Sequence, residues 1–173
     1  MLLSFGLHCW YINRTFFRMK IRFTISLTIA GCVLIGLCAC TNQKNEEQLR
    51  NTASAFAQTY FNWQFNDALA HCTPSSQRWI SYAASQVKQD DVDKLRNAEQ
   101  GARSEIKKIH YEEGDSMASV VMKVENFLSM DSIGTVGHFV KSATYTLQFV
   151  QLNKRWKVRL TKLPRPDSPH HDD

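Results

Sequence analysis

The 173 residues carry 21 Lys and Arg against 16 Asp and Glu, a formal net charge of +5, and 43% of them are hydrophobic. Four of the basic residues, Arg14, Arg18, Lys20 and Arg22, precede residue 40 with no acid among them, so the rest of the chain is nearly neutral. The net charge therefore gives no ground for a nucleic-acid partner. Cys9, Cys32, Cys38 and Cys40 all lie in or at the end of that N-terminal segment, which leaves Cys72 alone and excludes an internal disulfide beyond it.

Met19-Lys20-Ile21-Arg22 is a basic n-region, Phe23 to Leu37 an apolar h-region, and Ala39 a small residue suited to a cut. Residues 1–18 are surplus to such a signal; a translation start at Met19 is expected, with a tolerated long n-region as the alternative. A retained membrane helix over Ile21–Ala39 is the competing reading, weakened by Arg22, Thr24, Ser26 and Thr28. Leu37-Cys38-Ala39-Cys40 ends the apolar run and is followed by Thr41-Asn42-Gln43-Lys44-Asn45-Glu46-Glu47. This pattern resembles the lipobox of bacterial lipoproteins. The resemblance implies a signal peptide over 1–39, cleavage between Ala39 and Cys40, a diacylglycerol on the Cys40 sulfur and acyl chains that hold the protein in a membrane. The expected address is the cell envelope, at the outer membrane, with the face left open. Residues 40–47 read as a hydrophilic, lipidated tether.

Beyond the tether, Gln48 to Gln64 has Leu49, Ala53, Phe56, Tyr60 and Trp63 at helical spacing. Asn66-Asp67 interrupts it, and Asp67 is placed to cap a short helix over Ala68–His71. Thr73-Pro74-Ser75 breaks the chain before a helix over Ser75–Lys88, whose expected apolar stripe is Trp79, Tyr82, Ala83 and Val87. Asp90-Asp91 opens a further helix, Val92–Ala98, with its acids at the favourable end of the dipole. Gly101 ends the helical half.

The spacing then switches to period two. Expected strands run over Ser104–Glu112, Met117–Phe127, His138–Leu152 and Arg155–Leu163, joined at Glu113-Gly114-Asp115, at the loop Ser129–Gly137 and at Asn153-Lys154. In the first strand Ile109 and Tyr111 share one face and Ile106 takes the other. Helices followed by strands with short turns predict one α+β domain over 48–163, helices on one face of an antiparallel sheet. That span is long enough to hold a single core. Residues 164–173, with Pro164, Pro166 and Pro169, read as a disordered tail.

Three stretches carry a further resemblance. Phe65-Asn66-Asp67-Ala68-Leu69-Ala70 is similar to the helix break of the NTF2-like and cystatin-like folds. Thr73-Pro74-Ser75 follows where that family often turns. Leu152-Asn153-Lys154-Arg155-Trp156-Lys157-Val158 resembles its closing hairpin, with Asn-Lys-Arg where a glycine is common. The resemblance implies a curved four-stranded sheet beneath a long helix, as in small lipoproteins of unknown function, and no chemistry.

The residues themselves point away from catalysis. Cys72 lacks a cationic neighbour on its own helical face, and a small buried hydrophobe explains it. His71, His110 and Tyr82 are the polar candidates near a helix–sheet space. No strand shows an inward Asp or Glu, since Glu105, Lys107, Glu125, Lys157 and Arg159 fall on solvated faces. Tyr60, Trp63, Trp79, Tyr82, Tyr145, Phe149 and Trp156 either line an apolar ligand pocket or simply fill the core, and packing alone asks for such a stripe. His170-His171-Asp172-Asp173 is the one metal candidate, weak because its ligands are adjacent on a tail. Neither a metal nor a cofactor is expected. The expectation is a non-catalytic binding or assembly module whose partner is an envelope protein or a small apolar ligand. A small isomerase- or hydrolase-like enzyme using the same space is the alternative.

Overall fold

The computed structural model describes residues 43–112, 114, 116–130 and 135–167, and the chain divides into two units, Met1–Glu46 and Glu47–Asp173. The expected signal segment, Cys40 and the His-Asp terminus lie outside the described residues. Everything below concerns the second unit unless stated.

Over the described residues helix α1 runs through 43–61, so residues 43–47 of the stretch expected as a tether are helical. Gln43, Lys44, Glu46 and Glu47 are strong helix formers, which suits helix over these residues. Leu49, Ala53, Phe56, Ala57 and Phe61 form its buried stripe. The helix ends earlier than the polar pair at 66–67. Gln64 N–H donates to Thr59 O and Trp63 N–H to Tyr60 O, a Schellman arrangement in which Trp63 sits at φ 61°. Asp67 is consequently not a cap. It lies inside the first turn of α2, Phe65–Leu69, which begins after Gln64.

A short 3₁₀ turn, Pro74–Ser76, leads into α3, Gln77–Ser85. Its buried residues are Ile80 and Ala83, preceded by Ser76, so the expected stripe is rotated by about one position: Trp79 is half-buried and Tyr82 is exposed. Helix α4, Gln89–Asn97, starts three residues before the expected point, with Asp90 and Asp91 in its first turn. Asp91 is fully buried and accepts from Lys88 N–H and, across the fold, from Gly137 N–H at 2.7 Å.

Four strands follow: β1 Arg103–Tyr111, β2 Met117–Ser129, β3 His138–Leu152 and β4 Arg155–Arg159, in the order β1-β2-β3-β4, all antiparallel. A bulge between Ile106 and Lys108 in β1 overturns one expectation. The extra residue resets the alternation, so Ile106 pairs with Met122, Ile109 with Val120 and Tyr111 with Ala118, all on the core face. The core lies between that face, with Val120, Met122, Val124, Leu147, Phe149 and Val158, and the stripe of α1. The β3–β4 turn has Asn153 at φ 50° and Lys154 at φ 62°, the paired left-handed conformations of a tight hairpin turn.

Strand β4 ends at Arg159, but β3 continues far past it, which leaves a free edge. Residues 164–167, expected as the start of the tail, lie along that edge: Asp167 N–H donates to Thr144 O and Thr146 Oγ1 to Asp167 Oδ2, both at 2.8 Å. Pro164 and Pro166 lack N–H groups and cannot extend a ladder, which is why the sequence reads as an ending there. On the other side of β4, Cys72 forms a parallel bridge with Val158, backed by Ser76 Oγ accepting from Leu160 N–H.

Candidate functional site

The Schellman end of α1 turns four aromatic residues toward one space. Tyr60 and Phe61 come from the last helical turn, Trp63 from the reversal, and Phe65 from the start of α2. Trp63 holds its left-handed backbone because the indole Nε1–H donates to Leu128 O at 3.0 Å, while its ring packs 5.9 Å from Phe65. A bulky residue at positive φ is costly and persists only where surrounding contacts over-determine it. From the sheet, Phe127 and Tyr145 close in on Phe61, whose ring centroid is 5.5 and 4.7 Å from theirs.

These rings bound a cavity of about 810 Å³. Its remaining wall includes Ala83 and Gln86 at the end of α3, Ser129 and Met130 after β2, and the segment Leu163–Asp167. The volume falls in the range of small-molecule sites. Two phenols, Tyr60 and Tyr145, belong to this lining, which also holds Gln86, Ser129, Arg165 and Asp167. Burial pushes the Tyr60 phenol well above its ordinary range, helped by Tyr145 and Cys72. Burial, then the Asp167 carboxylate, does the same to Tyr145. Both therefore remain neutral hydroxyls that donate and accept hydrogen bonds across the physiological range. Arg165 and Asp167 are the charged residues of the described lining, both exposed at the rim.

Of the seven expected pocket residues, the structure brings Tyr60, Trp63 and Tyr145 together at this cavity. Phe149 and Trp156 are buried in the core, Trp156 with its ring 6.2 Å from Tyr111. Trp79 packs at the core margin under the Arg78 guanidinium, 5.2 Å away, and Tyr82 points to solvent. Phe65, Phe61 and Phe127 complete the lining. Phe61 and Phe127 carried no separate signal, because any core would have claimed them.

The polar candidates lie elsewhere. His110 is exposed opposite Ser119 on the face away from the helices. His71 sits at the β4 edge, where its carbonyl accepts from Val158 N–H. Burial first, then Lys157, lowers its pKa against the opposing pull of Asp67. The Cys72 thiol is buried and pushed up to about 12 by desolvation, with Lys157 opposing, so it is not a thiolate near neutrality. Among the described residues no group of three His, Cys, Asp or Glu is placed to hold a metal, and no helix is long and apolar enough to cross a membrane.

No family model matches the chain and no curated protein matches it. Solved structures similar to it include an NTF-2 like protein of unknown function from Shewanella oneidensis, with TM-score 0.44 and 9% identity over 65% of this chain and 93% of that one. A function-unknown protein from Mycobacterium tuberculosis has TM-score 0.44 and 10% identity over 75% of each chain. A dehydratase candidate of the NTF2-like family from Streptomyces avermitilis has TM-score 0.41 and 16% identity over 67% of this chain and 92% of that one. The α+β class of this chain, helices against a four-stranded antiparallel sheet, rests on its own geometry.

Proposed function

We propose that this protein is a lipid-anchored module of the cell envelope that holds a small, flat, apolar ligand in the cavity at the end of α1. The observation that carries the ligand reading is the pairing of an aromatic wall with two neutral phenols. The rings offer stacking area, and the Tyr60 and Tyr145 hydroxyls offer hydrogen bonds to one polar group on the ligand. Neutral phenols far from titration suit binding better than proton transfer, which needs a group titrating near the working pH.

The anchor reading rests on Leu37-Cys38-Ala39-Cys40 and the polar run after it. Two or three acyl chains would hold the protein far more firmly than one, at about 0.8 kcal/mol for each buried methylene. An envelope protein docking on the domain remains the alternative partner to a small ligand, and an isomerase- or hydrolase-like reaction the alternative use of the cavity.

The ligand reading is tested by extracting the protein from its native membrane and analysing what co-purifies. A stoichiometric small aromatic or alicyclic compound, displaced from a Trp63→Ala variant, supports it. An empty, water-filled cavity in protein from native membranes, with no compound retained, contradicts it.

A further inference from the structure

A second, smaller pocket lies on the other side of the α1 terminus, between α1, α4 and the β2–β3 ladder, with a volume of about 230 Å³. Its chemistry differs from the aromatic cavity. Gln58, Asn62, Gln64, Gln100 and Asn126 are among its lining residues, and none of its described lining residues is charged. Asn62 is structural. Its Nδ2 donates to Gln58 O and Ala102 O, and its Oδ1 accepts from Ala102 N–H at 2.8 Å. The amide lies so close over the linker that a Cβ on Gly101 would stand 2.5 Å from Asn62 Oδ1. The pocket floor is thereby rigid.

The other four carboxamides, Gln58, Gln64, Gln100 and Asn126, are exposed. Asn126 is presented by a kink in β2, where its backbone takes φ 54°. Beside it, Phe139 is 48% exposed although it keeps the parity of the buried Tyr145, Leu147 and Phe149. It lines the pocket instead of entering the core. An exposed ring next to uncharged amides has a specific complement. It is a ring with one apolar C–H face and a periphery of hydroxyls that donate and accept. An apolar ligand would leave the amides desolvated without partners. An ion would find no countercharge. A single pyranose fits the volume, the ring and the amide chemistry together.

We propose that this pocket binds one ring of a neutral saccharide, stacked on Phe139 and hydrogen-bonded by Gln100 and Asn126. The site shares Phe61 and Leu128 with the wall of the aromatic cavity, but the proposal does not rest on the ligand assigned there.

The test is an NMR titration of the folded domain, residues 40–173 without acyl chains, with glucose and N-acetylglucosamine and their β-1,4-linked dimers. Saturable shifts confined to the Asn126 and Gln100 side-chain amides and the Phe139 ring are expected with at least one of these sugars. Phe139→Ala should weaken that binding about tenfold, the loss of one ring contact. Gln100→Ala should weaken it severalfold with an unchanged spectrum elsewhere, which separates lost recognition from lost folding. Absence of shifts at these groups with all four sugars at high millimolar concentration overturns the proposal. So does equal affinity in wild type and Phe139→Ala.

Discussion

Asp91 ties the helical half to the sheet through a carboxylate with no exposure, which accepts the N–H of Lys88 on one oxygen and of Gly137 on the other. Lys94 completes the clasp by donating Nζ–H to Gly137 O at 2.6 Å. Removing a buried acceptor leaves donors unsatisfied, and bonds to charged groups contribute about 1.5–3 kcal/mol each. Asp91→Ala should therefore lower stability by about 2 kcal/mol or more in urea unfolding. Asp91→Asn should do little better, because its NH₂ would face one of the two donors. A loss under about 0.5 kcal/mol in either variant, the range of an ordinary surface change, contradicts this role. Three buried protons make a second prediction at this scale. The Cys72 thiol is raised from 9.0 to about 12, and the Tyr60 and Tyr145 phenols are raised above their ordinary value of 10.0. Below pH 9 folded and unfolded chains hold these protons equally, so their effect is fully present. Above it the unfolded chain releases protons that the folded chain keeps, and stability falls as pH rises toward 12. The urea midpoint should be lower at pH 10.5 than at pH 8, and Cys72→Ala should reduce the drop. A midpoint that stays level over that interval contradicts the burial of these groups.

At the level of elements, the departures from periodicity carry the most information. The bulge in β1 puts Ile106 against Met122 on the core face, so Ile106→Lys should destabilise by about 2 kcal/mol while Lys108→Glu, on the opposite face, stays near neutral. Equal effects in thermal melts would show that the strand keeps a regular register. Lys154 at φ 62° occupies a position that glycine takes without strain. Lys154→Gly should therefore raise stability by about 0.5–1 kcal/mol, and a lower melting temperature would contradict the left-handed turn. Strand order, the β3 bounds and the helix-then-sheet class were legible because alternation and turn residues are local signals. The bulge was not, since one inserted residue leaves composition unchanged while it inverts parity. The end of α1 was missed for a similar reason. Trp63 reverses the chain in a conformation that usually demands Gly, held by an indole bond to Leu128 that lies 65 residues away. The cavity was half legible. Tyr60, Trp63 and Tyr145 stand out as large aromatics with polar atoms, yet whether Trp79, Phe149 and Trp156 join them depends on packing that periodicity cannot rank. The wall from Leu163 to Asp167 was hidden because its prolines mimic a chain end.

On the scale of the whole molecule, two claims combine: an acyl anchor at Cys40 and a domain with an aromatic cavity. The first predicts that Cys40→Ala releases the protein from membranes, while the wild type resists a high-salt wash. A variant that stays in the pellet after that wash refutes the acyl anchor. The second is the more direct to measure. The folded domain is titrated with N-phenyl-1-naphthylamine, a flat neutral aromatic whose emission rises on leaving water, alongside Ser129→Trp, which plugs the cavity wall. A saturable one-site curve in the wild type that is lost in Ser129→Trp is expected. No saturable signal in the wild type, or the same curve in both proteins, would contradict a ligand site at the end of α1.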